Sequence, residues 1–343
     1  MRNYPFYLLL TLLWLPLGFG AVKADEKTAA ADSQPPAAKD APPPSPPPPE
    51  DPNEEKAKKF IIACAEKIEK IDYVSAELHE AAYVTDRTVT SSGIYLRGPD
   101  HRTRLELDVN FGDASGKRIQ VSDGKVGYQF RKVLDQVDVS SIQLSQVLPL
   151  IARKEIPEQA RNTIQAQLPL LDPGEMLKGY LHDVTFTSME NKEIGEGDAK
   201  RSVTVLEGHW TPQAVDMLAG RQTNGKLENL GGNMPQYLRL FLDDETGWPL
   251  RVEMFRKDKK AEFKPVFVLE FRKLKIGEKI PDEQFTFTPP EGVKVTDVTD
   301  QWVSNLQGLP DKATAIPSNA NPASAVSAPL NAAEPAKEPA KKE

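Results

Sequence analysis

Four histidines, one cysteine and dispersed carboxylates are the side chains with which this chain could move protons, attack a substrate or bind a metal. His79, His101, His182 and His209 each stand alone, without a second His or Cys at ligand spacing, so no metal site is expected. Cys64 falls on the apolar stripe of an amphipathic segment, where a thiol is expected to be buried and inert rather than nucleophilic. GDASG at 112–116 has the wrong spacing for the G-x-S-x-G elbow, and GEGDAK at 195–200 is only the start of a dinucleotide fingerprint, with no helix after it. Asp243-Asp244 sits at a hairpin corner, where turn chemistry accounts for it. The expectation is a protein that is not an enzyme and uses no cofactor. Carboxylates distant in sequence could still meet in space, and an esterase-like enzyme stands as the third alternative.

The ends of the chain assign a compartment. Arg2, the apolar stretch FYLLLTLLWLPLGFG and the small-residue ending AVKA form a secretory signal over residues 1–24, with cleavage expected after Ala24. As a membrane span the stretch is too short and is broken by Pro16. No cysteine lies near the cut, so no lipid anchor is expected, and the chain should be periplasmic and soluble after cleavage. With a single cysteine, an exported domain cannot form an internal disulfide and must be held by its core. Residues 25–53 are a Pro-rich linker and 306–343 an Ala/Pro/Lys-rich tail, both too poor in apolar side chains to fold. Residues 54–305, about 250 in all, are enough for one sizeable domain. The net charge of −7 and pI of about 5.4 argue against nucleic acid and against electrostatic docking to an anionic membrane.

Periodicity sets the elements inside that domain. Ala57, Phe60, Ile61, Cys64, Ile68 and Ile71 recur at three- and four-residue spacing and predict a leading amphipathic helix. From residue 73 the period becomes two. DYVSAELHEAAYV, TVTSSGIYLRG, TRLELDV and RIQVSDGKVGYQFRK predict an antiparallel meander, with a hairpin turn at Asp123-Gly124. Residues 140–181 are apolar at helical spacing but carry Pro149, Pro157, Pro169 and Pro173, which predicts several short helices. Strands resume at DVTFTSM and RSVTVLEGHW. A short helix, TPQAVDMLAG, is capped by Thr211, and a second hairpin spans YLRLFLDDETGWPLRVEMFRK. KPVFVLEFRKLKI follows, and FTFTPP at 285–290 is expected to be the last strand.

About ten antiparallel strands make a sheet that curls. The expected fold is mainly β (α+β): an incomplete, strongly curved antiparallel β-barrel, its N-terminal helix and helical insertion covering the concave apolar face. Alternation places Leu105, Leu107, Tyr128, Phe130, Phe186, Leu240, Trp248, Met254, Phe267, Phe271, Phe285 and Phe287 as the lining of that face. Either helices fill it as an ordinary core, or they form a lid over a cavity.

The first helix, the strand ending SSGIYLRGP, the hairpin VSDGKVGY and the closing FTFTPPEGVKVTD together resemble the LolA-like superfamily, whose carrier moves lipoproteins to the outer membrane. The resemblance runs over roughly residues 56–300. It is carried most specifically by Phe285, Phe287, Pro289, Pro290, Gly292 and Asp297. It implies a hydrophobic cavity that holds the acyl chains of a lipoprotein or another amphiphile. Membrane-associated donor and acceptor proteins are the implied partners of a protein expected to be monomeric. The alternative is a sensor or interaction domain of the same fold, with a self-filled cavity and a protein partner. In the carrier an arginine directly before the proline of the strand-end motif controls lid closure and release. Here Gly98 holds that place before Pro99, which leaves Arg97, Arg102 and Arg104 as candidates. A one-residue offset flips a strand side chain, so Arg97 is expected to face solvent.

Overall fold

The computed structural model describes residues 52–307 apart from 85–86, 157–160, 162–163, 166–167, 169, 196–199, 220–223, 232–233 and 259. The signal segment, nearly all of the linker and almost the whole tail lie outside the described residues.

Helix α1 (Pro52–Glu69) opens the domain and buries Ala57, Ile61, Cys64 and Ile68 along one stripe. Glu54–Lys58 and Glu55–Lys59 pair one turn apart on its wet side. Burial pushes the Cys64 thiol up to about 12, so this sulfur is inert packing, as its place on the stripe predicts.

Six strands follow as a meander: β1 (Val74–Val84), β2 (Arg87–Arg97), β3 (Arg102–Phe111), β4 (Ala114–Asp123), β5 (Val126–Val133) and β6 (Gln136–Gln143). Helices α2 (Leu144–Ile151) and α3 (Pro173–Asp183) interrupt them. A second meander comprises β7 (Val184–Ile194), β8 (Arg201–Trp210), β9 (Tyr237–Asp243), β10 (Pro249–Lys257) and β11 (Phe263–Ile276), with α4 (Pro212–Ala219) between β8 and β9. Strand β12 (Val295–Asp297) and helix α5 (Thr299–Gln307) close the described chain.

All twelve strands form one sheet in the order β12-β6-β5-β4-β3-β2-β1-β11-β10-β9-β8-β7. Antiparallel pairing of β1 with β11 joins the two meanders. The ends, β12 and β7, do not pair with each other, so the sheet stays an open, incomplete barrel. Every ladder is antiparallel except β12 on β6.

Two glycines permit close approaches. A Cβ on Gly93 would sit 1.8 Å from the Glu106 carbonyl oxygen, so only glycine lets β2 run this tightly against β3. Gly247, at φ 75° in the β9–β10 turn, lies so near α1 that a Cβ would meet the Cys64 Cα at 2.8 Å.

Cross-strand partners share a face. Ala76, Tyr95, Leu105 and Gln120 form one rung on the face that carries α1 and α3, while Leu96, Arg104, Val121 and Tyr128 form a rung on the opposite side. The main core lies under the helices and includes Leu78, Tyr95, Leu105, Leu107, Leu240, Trp248 and Phe271. A satellite core joins Ile142, Leu144, Val147 and Ile151 to Trp302 and Leu306 of α5.

Three expectations change. Residues 136–143 complete strand β6, so the helical insertion begins at Leu144 rather than 140. Among the described residues there are twelve strands rather than about ten, because β6 and the short parallel β12 were not anticipated. The third concerns FTFTPP, which is no strand of the sheet. Asp282–Phe285 is a 3₁₀ turn, and the residues after it run extended without pairing. The alternation is still real, with Phe285 buried, Thr286 exposed and Phe287 half-buried. What it packs against, however, is the outer side of the sheet. Phe287 meets Tyr128 and Phe130 at ring separations of 5.4 and 6.2 Å, and Arg102 lies over the Phe285 ring at 5.7 Å.

Candidate ligand cavity

Helix α3 does not lie flush on the sheet. Asp172 caps it, its Oδ1 accepting from the Gly174 and Glu175 amides at 2.8 and 3.2 Å, with Pro173 at the first position. Pro173, Gly174 and Leu177 form the buried stripe, and Lys178 pairs with Glu69 of α1. A second stripe at helical spacing, Asp172, Glu175, Met176, Gly179, Tyr180 and Asp183, lines a cavity of about 600 Å³. That volume lies within the range of small-molecule sites.

The sheet supplies the floor from both meanders. Val252, Met254, Phe267 and Leu269 give it an apolar half, and Thr103, Arg118 and Gln120 a polar one. Leu148, Leu168, Leu170 and Leu171 close one side, and the β2–β3 turn with the end of α1 forms another part of the wall. The Tyr95 hydroxyl donates to the Leu171 carbonyl at 2.9 Å, and burial raises its pKa, so this phenol stays neutral.

The expected lining residues divide into three groups. Met254 and Phe267 line the cavity. Leu105, Leu107, Phe186, Leu240, Trp248 and Phe271 face the helices but belong to the filled core. There Tyr95, Trp248 and Phe271 pack ring to ring at 5.5–6.0 Å. Tyr128, Phe130, Phe285 and Phe287 are on the outer face and must be withdrawn from the cavity. The reason is register. Tyr128 opposes Val121 and Phe130 opposes Ile119, and both pairs share the side of Arg104 and Glu106.

Register also sorts the three arginines. Arg97 pairs with Val74 and Thr103 on the helix-covered side, contrary to the solvent-facing expectation. Its Nη1 donates to the Ile68 carbonyl at 3.0 Å, and its Nη2 stands 3.7 Å from Asp172. It therefore ties the end of α1 to the cap of α3. Arg102 and Arg104 clamp the outer segment. Arg102 pairs with Asp282, and Arg104 donates to the Gln284 and Thr286 carbonyls at 3.2 Å each.

Sequence reasoning missed Arg118 and Gln120. The strand RIQVSD alternates, and its apolar set, Ile119 and Val121, was the natural choice for the inner face. Instead Arg118, Gln120 and Ser122 point inward and are buried. The one available signal was that Arg118 lies opposite Leu107, a residue already placed inside. Arg118 is 8% exposed, and one of its terminal nitrogens donates to Gln120 Oε1 at 2.8 Å while Nη1 has no partner. Glu80, also inward on β1, has both carboxylate oxygens unpartnered, and burial pushes its carboxyl up to about 7. Burial likewise draws the Arg118 guanidinium down to about 10.

No group of His, Cys, Asp and Glu among the described residues is arranged to hold a metal ion. No described helix is long and apolar enough to cross a membrane.

The fold and cavity define a class: an open, curved antiparallel sheet with helices laid over one face and an apolar pocket left beneath one of them. No protein-family model and no curated protein matches the chain. Several solved structures are similar to it at low identity. One is a chain of the Pseudomonas aeruginosa MucA/MucB complex, with 12% identity and a TM-score of 0.30, over 68% of this chain and 61% of that one. The match thus spans less than two thirds of that relative's length. LprF from Mycobacterium bovis gives 10% identity and a TM-score of 0.34 over 66% and 95% of the two chains. A LolA superfamily protein from Nitrosomonas europaea gives 14% and 0.21 over 67% and 97%.

Proposed function

We propose that this is a non-enzymatic periplasmic protein that holds an acyl chain of a lipoprotein, or of another amphiphile, in the cavity beneath α3. The observation that carries the reading is the unfilled space itself. Elsewhere the helix-covered face is packed with Trp248, Tyr95 and Phe271, yet about 600 Å³ stays open between α3 and the apolar strip Val252–Met254–Phe267–Leu269. Each methylene moved from water into such a lining gains about 0.8 kcal/mol, so an apolar chain is the cargo that the walls favour. Release requires the cover to move, and Arg97, linked to both α1 and α3, is the one of the three candidate arginines placed to control it. Transport toward the outer membrane, with donor and acceptor proteins, is the role proposed for such a carrier.

The filled half of the face favours a second reading, a sensor or interaction domain whose partner is a protein. One experiment separates them. The exported protein is purified without detergent and its organic extract analysed by mass spectrometry. A stoichiometric acyl species supports the carrier. An empty protein that also fails to take up added amphiphile, while retaining a protein partner on pull-down, supports the interaction domain.

A further inference from the structure

Arg118 is the feature of the cavity that an acyl carrier does not need. A guanidinium nine-tenths buried on the floor of a largely apolar pocket is costly unless its donors are used. Cavity-lining Arg97 uses its donors on Ile68 and Asp172. Arg118 spends one on Gln120 and leaves Nη1 without an acceptor. Gln165, across the cavity wall, likewise has a buried amide oxygen without a partner. On the same sheet face Glu80 lies close enough to feel the Arg118 charge but makes no hydrogen bond or ion pair with it. Arg131, the cross-strand neighbour of Arg118, has its own carboxylate in Asp138.

Resting on the reading of the cavity as an amphiphile site, we propose that Arg118, oriented by Gln120, binds the anionic oxygen head of that amphiphile, a carboxylate or a phosphate. The head lies against the polar floor of Thr103, Arg118 and Gln120, and the chain runs over Met254, Phe267 and Leu269 beneath Met176 and Tyr180. An anion that reaches the guanidinium from the cavity supplies a counter-charge for a cation with which no carboxylate among the described residues forms an ion pair. The Glu80 carboxyl, held up near 7 by burial, is largely protonated below neutral pH and does not oppose a second negative group there. The cavity thus selects by head group as well as by tail.

The test compares three probes of equal chain length, laurate, 1-dodecanol and dodecyl phosphate, titrated calorimetrically into the delipidated exported chain below neutral pH. Laurate or dodecyl phosphate is expected to bind at least about tenfold more tightly than dodecanol, the margin of a charge-assisted hydrogen bond in a dry site. Whichever of the two is tighter identifies carboxylate or phosphate as the natural head. Arg118→Met is expected to reduce the preference to within about twofold, and Arg118→Lys to keep part of it. Equal affinity for dodecanol and both anions in the unaltered protein overturns the head-group site while leaving the amphiphile reading intact. Binding of none of the three overturns both. A preference that survives intact in a folded Arg118→Met variant also overturns the assignment. If that variant does not fold, Gln120→Leu serves instead, with loss of preference expected and full retention counting against the site.

Discussion

Arg97 Nη2 lies 3.7 Å from Asp172 Oδ2, while Nη1 of the same guanidinium donates to the Ile68 carbonyl. One side chain from the end of β2 therefore links the last turn of α1 to the capping residue of α3 at the wall of the cavity. Arg97→Ala is expected to loosen the cover without disturbing the sheet. Amide exchange across residues 172–183 should rise at least several-fold while β1–β3 stay protected, with about 1 kcal/mol lost from global stability. Unchanged exchange in α3 would remove Arg97 from any part in lid control.

Gly179 is the cavity-lining glycine of α3, and a Cβ there would meet nothing within 4 Å. Gly179→Phe is expected to place a ring in the open space and to block amphiphile binding by tenfold or more. Stability should hold or improve, since glycine inside a helix is unfavourable by about 1 kcal/mol relative to better helix formers. Calorimetric titration with laurate and urea unfolding of the same variant check the two halves.

Glu80 predicts a pH dependence. Burial raises its folded carboxyl from an ordinary 4.5 to about 7, so between those values the folded protein holds a proton that the unfolded chain has released. The sign follows: this group's stability cost is absent below about pH 4.5, grows as pH rises, and is complete above about 7. Its full size is about 3 kcal/mol, from 1.36 kcal/mol per pKa unit. Urea midpoints should therefore fall from pH 5 to pH 7.5, and Glu80→Gln should flatten that slope.

The outer clamp is structural. Phe285 is 1% exposed, lies beneath Arg102 and approaches Gly98. Phe285→Ala is expected to cost about 3–5 kcal/mol in urea unfolding, as for other buried aromatics. Laurate affinity of the folded fraction should stay within twofold, because the ring lies on the far side of the sheet from the cavity. A large loss of affinity in the folded variant would return this residue to the ligand site.

Helix α1 and the two hairpins were legible because their patterns are local: the stripe from Ala57 to Ile68, the Asp123-Gly124 turn, and the alternation from Leu238 to Met254. Helix α5 was missed although Trp302 and Leu306 sit one turn apart, since two apolar residues after a short strand make a weak period. The site was only partly legible. Met254 and Phe267 lie on strands whose apolar side is the inner side, so alternation found them. On β5 the same rule failed for Tyr128 and Phe130, because the outer face there is also covered, by residues 282–287, and these rings go to that cover.

The sequence by itself determined a mainly antiparallel protein with a leading amphipathic helix, an inert cysteine, and apolar alternation along most strands. Hydrophobic period and turn chemistry act over a few residues, and these features need nothing more. Only the tertiary structure decided which face each apolar set occupies. Period two divides a strand into two sides without naming the inner one, and the choice depends on what the rest of the chain brings to each side. A remote segment brought Phe285 and Phe287 to the outer side of β4 and β5. That packing turned Tyr128 and Phe130 outward and left Arg118 inside, beneath α3, without a partner for one of its donors.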